Sequence, residues 1–92
     1  MFCDSEIHKI MLRFGLDFRS VTKLYNTSRG ERDIRLNYIL DDRYVLKINA
    51  EGVMREQRLQ EIKRLIERYR SIGVYCPAFI PTTEGTLSIQ WE

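Results

Sequence analysis

Apolar residues recur along this chain with two different periods, and the period changes where turn-forming residues interrupt it. Ile7, Ile10, Met11 and Phe14 fall at i, i+3, i+4 and i+7, one stripe of a helix that Asp4 can cap and Gly15 can end. The period then shortens. SVTKLY (20–25) predicts a short strand, and NTSRGE (26–31) is a run of turn formers. In RDIRLNYIL (32–40), Ile34, Leu36, Tyr38 and Leu40 alternate with polar residues, the period of two of a strand with one buried face. Asp41-Asp42 predicts a tight turn and YVLKIN (44–49) a third strand. A helical period returns from about Val53 to Ile72. There Met54, Ile62, Leu65, Ile66, Tyr69 and Ile72 share one side, with Leu59 at its border. Gly73 suits the position after the last helical turn, and Pro77 lies just beyond. Phe79-Ile80 predicts a fourth strand. Glu84-Gly85 turns the chain into TLSIQWE (86–92), a fifth, with Leu87, Ile89 and Trp91 on one face.

Consecutive strands joined by short turns predict an α+β fold: a five-stranded antiparallel sheet with one long packed helix, plus an N-terminal helix. Residues 1–17 would hold that first helix and 18–92 the remainder of a single domain. With 92 residues the chain can bury one core and has little stability in reserve. No apolar run approaches the ~20 residues of a membrane span, and MFCDSEIHKI has no signal-peptide core. Cys3 and Cys76 form no C-x-x-C pair; a disulfide between them is open, but free thiols of a reducing compartment are the simpler reading, hence a cytoplasmic protein. A net charge of +2 is too mild to imply a nucleic-acid partner by itself.

The candidate chemistry lies on the third strand. Alternation puts Val45 and Lys47 on one face and Tyr44, Leu46 and Ile48 on the other. An apolar residue two positions before a lysine can roof a flat base while the lysine reaches phosphate oxygens. The plainer alternative is a lysine whose stem lies along a sheet edge with its charge in water. On the long helix, Glu56 and Glu67 project away from the apolar stripe, beside Gln60 and Lys63. Glu61 lies at the edge of the stripe, where a charge-assisted bond to Lys47 is open to it. Pairing with Arg58 or Arg64 on its own helix is equally open. In the 26–31 loop, Thr27, Ser28 and backbone amides can donate to phosphate, or close a hairpin. His8, followed by Lys9 on the first helix, reads as a surface residue.

The strand YVLKIN, the helix containing Gln60-Glu61-Ile62, the segment GVYCP and the terminal TLSIQWE stand in a familiar order. From about Phe18 to Glu92 the chain resembles the N-terminal, nucleotide-binding lobe of the aminoglycoside phosphotransferase and choline kinase families, which are protein-kinase-like. The resemblance implies that Lys47 contacts the α- and β-phosphates of ATP and that Glu61 orients it. It implies that Val45 lines the adenine pocket, that Ser28 and Gly30 lie in the phosphate-facing loop, and that Ile89, Gln90, Trp91 and Glu92 form the gatekeeper and hinge. In this family the catalytic aspartate, the magnesium ligands and the acceptor site belong to a C-terminal helical lobe, which is absent from these residues. The chain alone is therefore expected to bind nucleotide weakly and to transfer no phosphate. A small-molecule phosphate acceptor would be met only through that lobe.

Two other functions fit the same residues. Lys23, Arg29, Arg32 and Arg35, with Tyr25 and Tyr38 among them, could make the 23–35 hairpin a nucleic-acid-binding module, although Glu31 and Asp33 interrupt the patch. The open sheet face could instead be a protein interface. Val45, Ile89 and Trp91 would be left exposed without a second lobe, so a two-fold homodimer is expected. The alternative is that the first helix folds back through Ile7, Met11 and Phe14 and shields them.

Overall fold

In the computed structural model, which describes residues 2–50 and 55–91, five elements form where the periodicity puts them. They are α1 (Asp4–Leu12), β1 (Val21–Asn26), β2 (Arg35–Leu40), β3 (Tyr44–Asn49) and α2 (Glu56–Ser71). The strands make one antiparallel sheet in the order β1-β2-β3. Leu36 faces Ile48, Tyr38 faces Leu46 and Leu40 faces Tyr44 across β2 and β3. Directly opposed residues share a face, so these side chains form one apolar surface. Ile7, Ile10 and Met11 of α1 cover it, with Phe18 from the connection that follows. Ile7 and Leu40 are fully buried, each contributing about 1.5–3 kcal/mol by leaving water. The Tyr38 hydroxyl, at the bottom of this core, accepts the Phe2 N–H at 3.2 Å.

The Asp41-Asp42 turn forms as its sequence suggests. Both residues have positive φ, 54° and 52°, as the central pair of a mirror-image turn closed by the Arg43 N–H donating to Leu40 O at 2.9 Å, within a three-residue connection between the paired Leu40 and Tyr44. The Asp41 carboxylate also accepts the N–H groups of Arg19 (3.0 Å) and Ser20 (2.9 Å). It thereby ties the entry of β1 to the β2–β3 turn.

The five-stranded sheet is corrected to three strands among the described residues. Residues 79–80 and 86–91 run without a ladder. Pro77 and Pro81 bracket the first segment and have no N–H to donate. The chain then closes on itself, Thr82 N–H donating to Thr86 O (2.7 Å) and Gly85 N–H to Thr82 O (2.9 Å). Beyond it, the N–H groups of Leu87 and Ser88 are taken by a carboxylate of α2. The alternation survives without the ladder: Leu87 is buried, and Ile89 and Trp91 pack against the core.

The long helix is corrected as well. α2 buries no residue, and none of its side chains joins the core. The sheet has one apolar face, and α1 occupies it. The other face carries Lys23, Tyr25, Asn37 and Lys47 with only Ile39 and Val45 as apolar residues between them, too small an apolar surface for the stripe of a long helix. The helix starts at Glu56, after Arg55 in extended backbone, and α1 is preceded by Cys3 as its cap residue rather than Asp4. Val53 and Met54, read as helical, lie outside the described residues, as does Glu92.

Candidate functional site

Antiparallel register carries the open face across all three strands. Tyr25 faces Asn37, which faces Lys47; Lys23 faces Ile39, which faces Val45. Two parallel rows result, each with a cation at one end and an apolar or aromatic group within reach. Val45 is 58% exposed, and Lys47 is exposed beside it. A flat apolar ring could lie on Val45 and Ile39 while Lys47 or Lys23 meets an anion, as their alternation along the strand suggests.

Lys47 and Glu61 are not brought together. Lys47 lies on the sheet face opposite the α1-covered core, and no ion pair joins it to a described carboxylate. Glu61 pairs instead with Arg58 of its own helix, Nη1 to Oε2 at 3.8 Å, with both side chains more than half exposed. Such a pair contributes about 0–1 kcal/mol.

The 26–31 loop closes a hairpin. Asn26 Oδ1 accepts the Ser28 N–H at 3.0 Å, the Ser28 hydroxyl accepts the Arg35 N–H at 2.9 Å, and Gly30 bridges to Asp33. The side chain of Thr27 donates to Arg35 O at 3.4 Å. These hydroxyls are engaged within the hairpin rather than presented as a phosphate cradle. Arg35 is held by Asp33, Nε to Oδ1 at 2.9 Å, and Tyr38 is buried in the core. The hairpin therefore presents Lys23 and Tyr25, with Arg29 and Arg32 exposed in its loop, and lacks the Tyr38 stacking platform that a nucleic-acid module would use.

Of the terminal residues, Ile89 is half-buried, Gln90 is exposed and Trp91 packs against the core. The Trp91 indole N–H donates to Glu6 Oε2 of α1 at 3.3 Å. Two of the three residues expected to form an exposed patch are thus partly covered within the chain, and Val45 remains open.

What positions this terminal segment is Glu56, which sequence reasoning placed toward solvent. It stands in the first turn of α2. Its carboxylate accepts the Leu87 N–H (3.0 and 2.9 Å to its two oxygens), the Ser88 N–H (2.9 Å) and the Ser88 hydroxyl (2.8 Å). The Gln60 amide donates to it at 2.7 Å. Partial burial pushes the Glu56 carboxyl up. The hydrogen bonds from Leu87, Gln60 and Ser88 outweigh that and hold it below the usual carboxylate range. An acid opening a predicted helix was the available signal, since backbone donors are favourably met there.

His8 is a surface residue of α1, as expected, with its side chain 42% exposed. Its ring stacks on Phe18, centroids 4.0 Å apart and 11° from parallel, and its Nδ1 lies 3.4 Å from Asp17 Oδ1. Cys3 and Cys76 are free thiols. Among the described residues no three His, Cys, Asp or Glu side chains are grouped as metal ligands, and no helix is long and apolar enough to cross a membrane. Comparison with protein families, with curated proteins and with solved structures finds no match to this chain.

Proposed function

We propose that this chain is the ATP-binding lobe of a small-molecule phosphotransferase, with Lys47 as its phosphate contact and Val45 as the floor under adenine. The observation that carries the reading is the pairing of Val45 and Lys47 on the solvent-facing side of β3. The order of three antiparallel strands followed by a long helix supports it. Phosphoryl transfer relies on positioning and on charge stabilisation around the transferred group. Within that scheme Lys47 neutralises phosphate charge, and the terminal segment, whose Ile89 and Trp91 now pack on the α1 side of the sheet, would have to present its backbone groups to the adenine edge from there. The chain supplies binding and orientation. The base and the magnesium ligands belong to a helical lobe.

A Lys47–Glu61 pair would have to form on nucleotide binding. The exposed Arg58 contact that now holds Glu61 is weak enough to be given up. Titrating the isotope-labelled chain with magnesium ATP, followed by amide chemical shifts, tests the proposal. Shifts at Val45, Lys47 and residues 89–91 are expected, absent in Lys47→Ala and kept in Lys23→Ala. Shifts confined to the 23–35 hairpin, reproduced by single-stranded oligonucleotide and abolished by salt, would replace it with the nucleic-acid module.

A further inference from the structure

α2 ends in an apolar surface that no described residue of the chain covers. Leu65 is 50% exposed, Tyr69 45% and Ile72 75%, and Val74 and Tyr75 continue the patch past the helix end. Ile62 and Ile66, further round the helix, are half-buried. Leu65, Arg68, Tyr69 and Ile72 stand at i, i+3, i+4 and i+7, and with Ser71 they line a shallow concavity of about 340 Å³. Four residues at that spacing form the hole into which one side chain of a facing helix inserts. The shape therefore points to a helix as the occupant.

Charge selects which helix. α2 carries Glu56, Glu61 and Glu67 against Arg58, Lys63, Arg64, Arg68 and Arg70. Glu56 is engaged by the terminal segment, Glu61 by Arg58 and Glu67 by Lys63 (3.8 Å). Arg70 donates to Cys76 O at 3.1 Å. Arg64 and Arg68, one turn apart along the edge of the hole, join no ion pair among the described residues. A second copy of α2 would bring the same arginines to the seam, with like charge against like.

We propose that the C-terminal half of α2 docks an acidic amphipathic helix of a partner protein. One apolar side chain enters the Leu65–Arg68–Tyr69–Ile72 hole, and carboxylates meet Arg64 and Arg68. Tyrosine and arginine are the residue types that most often dominate such contacts. The site shares no residue with the nucleotide contacts, and it rests on the exposed placement of α2 rather than on the nucleotide reading.

The probe is a synthetic peptide of about three heptads, with leucine at a and d and glutamate at e and g. A second peptide carries lysine at e and g, and vesicles of phosphatidylcholine with phosphatidylserine test a membrane surface. Each is titrated against the 92-residue chain by fluorescence anisotropy and amide shifts. The acidic peptide is expected to bind, with shifts at Leu65, Arg68, Tyr69 and Ile72. Tyr69→Ala should weaken it at least about fivefold. Arg68→Glu should reverse the preference toward the lysine peptide, a change that misfolding cannot produce. Equal binding of both peptides, binding of vesicles alone, or a concentration-dependent dimer that buries Tyr69 would each overturn the proposal.

Discussion

Replacing Glu56 with alanine leaves the N–H groups of Leu87 and Ser88, the Ser88 hydroxyl and the Gln60 amide without their shared acceptor. A hydrogen bond to a charged group contributes about 1.5–3 kcal/mol net when well enclosed, and a neutral one about 1 kcal/mol. Here the group is half-buried and water can replace part of what is lost, so a total of about 2–3 kcal/mol is expected. For a domain of this size, with roughly 5–10 kcal/mol of stability, that is a large fraction. It corresponds to a Tm lower by about 10–20 °C. The loss should also be local. Leu87, Ile89 and Trp91 would lift from the core before the sheet opens, so the Leu87 and Ser88 amides should lose protection from hydrogen exchange while those of β2 keep theirs. The pH dependence has a definite sign. The folded-state carboxyl is held below its usual range, so its contribution is fully present above the unfolded glutamate pKa of about 4.3 and is lost as pH falls through the lower folded value. Urea unfolding from neutral pH downward should therefore show a decline that Glu56→Gln flattens. A Glu56→Ala protein within about 0.5 kcal/mol of the parent, with Leu87 exchange unchanged, would refute the role of Glu56 in holding the terminal segment.

The placement of the two helices gives a contrast: Ile7→Ala should cost about 3–4 kcal/mol by opening a cavity, whereas Ile72→Ala should change stability by less than about 0.5 kcal/mol, both read from urea midpoints. Asp42 has positive φ in the β2–β3 turn, so Asp42→Gly should raise stability by about 0.5 kcal/mol; lower stability would mean that its side chain supports the turn. The Ser5 hydroxyl and the Glu6 backbone draw the exposed Cys3 thiol down, so its iodoacetamide alkylation, followed by mass spectrometry, should rise with pH at values below those of an ordinary thiol. A profile at or above the usual thiol range would contradict that contact. Asp41, also held low by the Ser20 and Arg19 N–H groups, should add to the acid-side decline. Part of that decline should therefore persist in Glu56→Gln and disappear in the Asp41→Asn, Glu56→Gln pair.

Local pattern was enough to determine the type and order of the five elements that form, because periods of 3.6 and 2 follow from backbone geometry alone, but it also predicted two strands, at 79–80 and 86–92, that join no ladder among the described residues. The same alternation placed Val45 and Lys47 on one face and Leu36, Tyr38 and Leu40 on the other, and Asp41-Asp42 announced its turn. What the pattern did not contain was the choice between two amphipathic helices for one apolar sheet face. α1, with three acidic or basic residues among nine, took that face through Ile7, Ile10 and Met11. α2, with eight among sixteen, remained in water, where solvating so many charges costs least. Nor did it contain the partner of a backbone donor. Residues 86–91 alternate as a strand does, yet their amides meet a carboxylate 31 and 32 residues away instead of another strand. Side-chain pairing at the candidate site was likewise a tertiary outcome. Glu61 is within one helical turn of Arg58 at no entropic cost of chain closure, whereas reaching Lys47 requires α2 to lie over the open face, and the apolar contacts that would hold it there belong to α1.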